Sequence, residues 1–404
     1  VRTDRAVAVP HAASFWLVAA GFLAVMSFTT IPTPLYPLYQ AADHFAPFMI
    51  TVVFAAYGVG VIAGLFLLGH VSDRVGRRRM ILTALVLELV SAVLFTLSSA
   101  VPTLLVARFV CGFGIGIVTA AATAHLTELH AIGYPDRDGS FASTVATVVN
   151  TGGLALGPLV GGLLTQWWPH PLTLPFAVYL GLLAVVALVV WAVPETVSPP
   201  VEHQPYRPQR VEVDPAARGE FAAAAVAGAA SFTVLGLYTS LTATFVGGTL
   251  HDRSRLLAGT IVFAVMGASA VSQVLLARLP DLHRLRFGGG LMVAGLLGVA
   301  LGATLLSLGV FVAGGILAGG GAGLVFQAAI ATAVRVAAPG KRAETMAGMF
   351  LAAYIGITVP VVAVGVALTV VRDPVPVLVT FSLVVLLVVV VAVGRMLRAL
   401  ATTT

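Results

Sequence analysis

A basic turn, Gly69-His70-Val71-Ser72-Asp73-Arg74-Val75-Gly76-Arg77-Arg78-Arg79, sits between two long apolar runs. Asp73 can accept hydrogen bonds from helix-end amides or from an arginine. Gly69 omits a side chain where two helices approach, and Gly76 admits backbone angles that other residues avoid. Arg77, Arg78 and Arg79 can bind lipid phosphate, anchor a membrane face or pair across it. Glu128 is the acidic partner expected for this cluster. His125, one turn from Glu128, is a candidate proton sensor, with a plain interfacial role as the alternative.

Arg108 is read as the sole clearly buried ionisable residue. It lies about five residues into the fourth apolar run, roughly 7 Å along a helix. A charge there must face a polar cavity, pair, or reach outward. Gly112 and Gly116 follow at i+4 and i+8 and let another helix approach on that side. Ser27, Thr29, Thr30 and Tyr36 on the first run and Asn150 on the fifth are the polar groups expected near it. On the fifth run Gly153, Gly157 and Gly161 form a stripe, joined by Gly162, and Pro158 should kink the helix. The stripe and kink suit helices that slide or bend, or ordinary small-residue packing.

These residues are positioned by elements that belong in a bilayer. Of the 404 residues 59% are hydrophobic and 9% charged, and the mean hydropathy is +1.03. A water-soluble chain needs far more charge. Apolar runs fall at about 12–32, 48–68, 80–99, 103–125, 140–164 and 174–193, then at 221–246, 257–277, 288–307, 309–333, 344–370 and 375–394. Each is long enough to cross a hydrocarbon core of roughly 30 Å as a helix, and unbroken runs exclude a barrel. The least marked boundary separates the ninth and tenth runs, where Ser307 and Gly309 are the turn signals.

Charge sets the orientation. With a cytoplasmic amino terminus, eighteen of the 22 basic residues fall inside, among them Arg2, Arg5, Arg137, Arg278, Arg335 and Arg395, while Arg253, Arg255 and Arg372 fall outside. This obeys the positive-inside rule and places both termini in the cytoplasm. Trp16, Trp167, Trp168 and Trp191 open or close runs at headgroup depth. Arg2 and Arg5 precede a first run that reads as an uncleaved anchor. The net charge of +6 forms an inner collar against anionic lipid headgroups rather than a nucleic-acid surface. No nucleotide loop, zinc spacing or cofactor fingerprint is found, so no cofactor, no metal and no enzymatic activity are expected. The lone Cys111 cannot form an internal disulfide.

A segment with prolines at 194, 199, 200, 205, 208 and 215 divides the runs six and six. The expected organisation is an amino-terminal bundle, 1–193, a cytoplasmic linker, 194–219, and a carboxyl-terminal bundle, 220–404. Leu67 to Asp73 is echoed by Leu275 to Asp281 at an offset of 208 residues, and the glycine-rich fourth and tenth runs match by order. Such symmetry suggests two similar bundles facing a central path.

With these residues in view, the chain resembles the major facilitator superfamily, and is similar to its twelve-helix drug:proton antiporter branch. Gly69 through Arg78 resembles the signature loop between the second and third helices. Leu104, Arg108, Gly112 and Gly116 resemble the fourth-helix motif of proton-coupled members. Gly153, Gly157, Pro158, Gly161 and Gly162 resemble the fifth-helix motif of antiporters, and Pro194-Glu195-Thr196 is a further familiar ending. The resemblance implies an all-α membrane protein with the major facilitator fold: two pseudo-symmetric six-helix bundles and alternating access. It implies a conformational latch built from Gly69, Asp73, Arg74, Gly76, Arg77, Arg78 and Glu128, with Asp73 working against the start of the eleventh helix near Glu344 and Gly348. Cavity or coupling roles fall to Arg108, Gly112, Gly116 and Asn150, and a helix-interface hinge to the fifth-helix glycines and Pro158.

The second loop copy keeps Asp281 but has Leu282, Arg284 and Leu285 where the first has Arg74, Gly76 and Arg77. Proton coupling is implied, yet no obvious mid-membrane carboxylate is found on the first or fourth run. The expected function is proton-coupled efflux of small hydrophobic or amphiphilic compounds by a functional monomer in a bacterial inner membrane. The alternative is export or facilitated passage of a defined metabolite such as a sugar or amino acid, whose sign would be a dense polar ring drawn from Asn150, Gln273, Gln327, Tyr238 and Tyr354. A non-transporting sensor is the third reading.

Overall fold

The computed structural model describes residues 9–197, 206–248, 254–339, 341–371 and 373–403. Arg2, Arg5, Arg253, Arg372, Pro199, Pro200 and Pro205 lie outside the described residues.

Helices fill the described chain: α1 (His11–Thr30), α2 (Tyr36–Asp43), α3 (Phe48–Leu68), α4 (Ser72–Val75), α5 (Arg77–Leu97), α6 (Val101–Gly133), α7 (Ser140–Trp167) and α8 (Leu174–Trp191) in the first half. The second half holds α9 (Arg218–Gly248), α10 (Arg255–Leu275), α11 (Asp281–Thr304), α12 (Leu308–Arg335), α13 (Arg342–Val370) and α14 (Pro374–Thr403). Among the described residues twelve spans are long and apolar enough to cross a membrane, with α1–α2 joined in one and α3–α4 in another. Every apolar run of the sequence lies on one of them. The junction expected at Ser307 is a capped turn: the Ser307 hydroxyl accepts from the Val310 amide, and Leu306 sits at φ 51°.

The helices alternate in direction, so the basic segments 74–79, 335–342 and 206–218 share one end, here the basic end. Two apolar cores form, one from α1–α8 and one from α9–α14. Ile357 and Val361 of α13 join the first core, and Ala155 of α7 joins the second.

At the opposite, far end the halves meet closely. A Cβ on Gly259 would strike the Pro158 carbonyl, and one on Gly162 would lie 2.6 Å from the Arg255 carbonyl. The Arg255 amide donates to Gln166 Oε1 at 2.9 Å. Gly365 packs on Thr51, and Gly58 on Thr358.

Two prolines interrupt the hydrogen-bond ladder of their helices in matching ways. Pro158 inside α7 leaves the Leu154 carbonyl without its helical donor. Thr30 Oγ1 of α1 supplies that hydrogen bond at 2.9 Å. Pro360 inside α13 leaves the Gly356 carbonyl open in the same way, and Thr233 Oγ1 of α9 fills it at 2.7 Å.

Candidate transport cavity

Between the halves lies a cavity of about 350 Å³. Its wall runs from Arg108, roughly 10 Å into α6 from the far end, to Thr127 of α6 and Ser143 in the first turn of α7 at the basic end. Among the described residues Arg108 is its sole charged lining residue. The guanidinium donates to the Thr29 carbonyl at 2.7 Å and stacks over Tyr57 at 4.6 Å and Phe54 at 5.8 Å. Only 3% of Arg108 is exposed, and its Nε has no hydrogen-bond partner.

The two walls differ in chemistry. On the amino half, Thr119, Thr123 and Thr127 of α6 recur at helical spacing and Ser143, Thr147, Asn150 and Thr151 of α7 face them. Thr119, Thr123 and Thr127 donate to carbonyls of their own helix at 2.8, 2.7 and 3.0 Å, and Thr147 does the same at 3.0 Å. Their oxygens therefore present lone pairs to the cavity. On the carboxyl half Phe232 meets Phe326 at 4.8 Å and Tyr354 at 5.7 Å, with Phe350 beside them, and Ser231, Thr239, Ser269 and Gln273 add polar groups around this aromatic cluster.

Of the polar groups expected near Arg108, Thr29, Thr30 and Asn150 line the cavity and Ser27 and Tyr36 do not; of the polar-ring candidates, Asn150, Gln273 and Tyr354 line it. Tyr238 does not: it is buried, with its hydroxyl on the Phe311 carbonyl at 3.0 Å. Gln327 donates to the Gln273 carbonyl at 3.4 Å. Gly112 and Gly116 face α3 rather than the cavity centre, meeting the Tyr57 and Val61 carbonyls. Gly153 and Gly157 pack on α1 and Gly161 on Ile31 and Pro34 just beyond it, whereas Pro158 and Gly162 meet α10 across the two halves.

At the basic end the structure brings Arg77 and Glu128 together, with Nη2–Oε1 at 3.0 Å. Arg77 also reaches Ser72 Oγ at 2.8 Å and pairs with Asp73. Gly76, at φ 116°, opens α5 with its amides toward Glu195, which accepts from the Arg77 amide at 2.8 Å. A carboxylate at a helix start matches the orphan donors and the dipole there. Thr196 Oγ1 closes the network on Glu128 Oε2 at 2.5 Å, and Arg78 caps the Val193 carbonyl at 3.1 Å.

The Asp73 side chain is 63% exposed in this state. Gly348 of α13 instead faces Val211 and Phe221, and Glu344 lies 3.7 Å from Lys341. The connecting segment occupies the gap. The Tyr206 hydroxyl and the Gln209 amide donate, both at 2.8 Å, to the Leu67 and Phe66 carbonyls in the last turn of α3. Farther along, the Glu212 carbonyl accepts from Thr345 Oγ1 at 3.0 Å, and its carboxylate pairs with Lys341 at 2.8 Å. Glu212 pushes the Lys341 ammonium up from its ordinary range, so the lysine stays charged through neutral pH and loses its charge only in alkali.

A family model described as Major Facilitator Superfamily matches residues 17–361. The chain belongs to the Major Facilitator Superfamily.

This major facilitator chain is 37% identical over 83 residues to the arabinose-proton symporter of Bacillus subtilis (strain 168), covering 20% of the chain and 18% of that protein. It is 29% identical over 183 residues to MdtD of Cronobacter sakazakii (strain ATCC BAA-894), a protein named for multidrug resistance, covering 44% of the chain and 37% of that protein. The matches thus span well under half the length of these relatives. Among solved structures, the nucleoside transporter NupG superposes with a TM-score of 0.72 at 14% identity, over 95% of this chain and 99% of that one.

The structure corrects the reading of Arg108 as the sole buried ionisable group. Glu88 in the middle of α5 is fully buried, as are His125 and His130 on α6. Glu88 is a mid-membrane carboxylate, on the third span rather than the first or fourth. The signal was present: it is the one acidic residue in the apolar run 80–99, and a lone charge inside a span is a functional flag. The hydroxyl wall was also missed, because threonine scarcely lowers hydropathy. The family makes this a membrane transporter and not an enzyme.

Proposed function

We propose that the chain is a proton-coupled exporter of small amphiphilic compounds, working by alternating access as a monomer in a bacterial inner membrane. The basic end is cytoplasmic, and anionic headgroups are its counter-surface. The bundles 1–193 and 220–404 are the moving units, and 194–219 is the tie between them. The described state is then inward-facing, closed at the α7–α10 and α3–α13 contacts of the far end. The network of Gly69, Asp73, Arg74, Gly76, Arg77, Arg78 and Glu128 shapes the inner gate, and the α7 glycines with Pro158 form the hinge surface.

One observation carries this reading: a cavity with a hydroxyl wall, an aromatic wall and Arg108 as its single charge among the described residues. At about 4 Å and an effective dielectric near 20, a guanidinium repels a cation by about 4 kcal/mol. Uncharged or anionic compounds with hydrogen-bond donors therefore fit ahead of permanent cations. The hydroxyl wall also supports a second reading, transport of a defined hydroxylated metabolite.

The test is uptake into proteoliposomes under an imposed pH gradient. Uncharged chloramphenicol and anionic fluorescein should move, and ethidium, a permanent cation, should not. Preferential ethidium transport overturns the charge argument. A labelled sugar that outcompetes the amphiphiles selects the second reading.

A further inference from the structure

We infer that Glu88 is the proton-binding group of the transport cycle, placed outside the substrate cavity and linked to it through Cys111, Thr29 and Arg108. The inference rests on the proton-coupled reading above and names the group that carries its proton.

Glu88 lies on α5 and points into the seam with α6. It is fully buried, and no strong donor reaches either carboxylate oxygen; the Cys111 thiol, a weak donor, is the side chain beside them. The seam has room for it because Gly114 has no side chain: a Cβ there would lie 2.5 Å from Glu88 Oε1. Arg108 and Cys111, both on α6, are the charged and titratable groups that face it. On its own helix the Ala84 carbonyl borders the same space. Tyr179, the titratable side chain of α8, is engaged by Ser27 at 2.5 Å, and α1 contributes uncharged Thr29 to the group.

An ionised carboxylate without a strong donor is costly to bury, and the neutral acid removes most of that cost. Arg108 faces Glu88 but forms no ion pair with it among the described residues, because its guanidinium is held by the Thr29 carbonyl and the Tyr57 ring. Cys111 Sγ joins the two sides: it lies 3.2 Å from Thr29 Oγ1 and borders Glu88.

Glu88 is absent from the cavity lining, whereas Arg108 and Thr29 are part of it. Proton and substrate therefore do not share one position. With the proton on Glu88, the guanidinium stays on Thr29 at the cavity wall. Without the proton, the carboxylate attracts the guanidinium. An uncharged compound that displaces the guanidinium from the wall favours the ionised acid, so compound and proton bind in turn. That is the linkage antiport requires.

Cys111 is the one thiol in the chain, which makes its S–H stretch a local reporter that needs no substrate. In the purified full chain, infrared spectra should show this band shifting with pH through a single protonation step. In Glu88→Gln the band should stay fixed. A band that ignores pH in the parent overturns the inference even if the variant fails to fold, and so does a shift that persists in Glu88→Gln.

Proteoliposomes give the functional arm. Glu88→Gln should keep chloramphenicol exchange at equal pH and lose accumulation driven by a pH gradient. Loss of both together with a pH-independent band in the parent assigns Glu88 to packing alone. A titrating band in a parent that moves no chloramphenicol leaves the proton site standing and sinks the export reading.

Discussion

In α6, Gly112 and Gly116 lie against the Tyr57 and Val61 carbonyls of α3; in α12, Gly319 and Gly323 lie against the Val265 and Ser269 carbonyls of α10. The two halves thus share a scaffold of glycines seated on backbone carbonyls, and these seams align the positions between them. Gly114 makes room for Glu88, while its counterpart Gly321 abuts Met292. One turn before Gly112 stands Arg108, donating to the Thr29 carbonyl. One turn before Gly319 stands Gly315, and the Tyr238 ring fills the vacated space while its hydroxyl donates to the Phe311 carbonyl. Even the proline kinks match, with Thr30 serving Leu154 and Thr233 serving Gly356. The frame is duplicated, but the mid-membrane charge is kept in the amino half alone among the described residues. We read the amino half as the part that senses charge and the carboxyl half as its packed, uncharged counterpart.

The largest expected effect comes from exchanging the two matched positions. Arg108→Ala removes the cavity's charge and a hydrogen bond from a charged donor worth about 1.5–3 kcal/mol, so gradient-driven transport should fall about 10- to 100-fold. Arg108→Lys should restore it in part, because an ammonium lacks the guanidinium fork. Gly315→Ala crowds Tyr238 and should cost about 1–3 kcal/mol of stability while leaving the preference among chloramphenicol, fluorescein and ethidium intact. Equal transport defects in Arg108→Ala and Gly315→Ala, at normal membrane insertion, would erase the distinction between the halves.

A smaller pair sharpens the same comparison at the kinks. Thr30→Val and Thr233→Val each strand a carbonyl that proline has already freed, costing about 1–3 kcal/mol. Thermal unfolding in detergent should show a similar loss for both. Thr30 lines the cavity, whereas Thr233 lines an outer groove between α9, α13 and α14. Only Thr30→Val should therefore also slow exchange at a temperature where both variants are folded. Exchange slowed equally by Thr233→Val would mean that both kinks, not the amino-half wall, govern transport.

The spans were legible because a bilayer demands unbroken apolar length, and the structure places a helix on every run. Helix ends were less so: α6 continues to Gly133, past the apolar run, since hydropathy marks the hydrocarbon and not the helix. The pairing of Arg77 with Glu128 was readable from charge sign and predicted depth. Glu88 escaped because one carboxylate barely changes the mean of a 21-residue helix, although its isolation was itself the clue. The tie of 206–212 between α3 and α13 was invisible for another reason. Its acceptors are the Phe66, Leu67 and Glu212 carbonyls and one donor is the Gln209 amide, and backbone groups leave no trace in residue type; only the Glu212–Lys341 pair carries a charge signal. The matched kinks were readable in part, as prolines, but their threonine partners come from other helices.

Alternating access requires a cavity that opens at one face at a time. Single cysteines at Thr123 and Thr33 sample the basic-end wall and the far-end side of the cavity, and the native Cys111, which is buried, is kept in place with the parent chain as the labelling blank. Membrane-impermeant maleimide applied to vesicles of each orientation should label Thr123→Cys from the basic face and leave Thr33→Cys unlabelled from the far face at rest. Labelling of Thr123→Cys from the far face as fast as from the basic face would show a continuous pore and contradict alternating access.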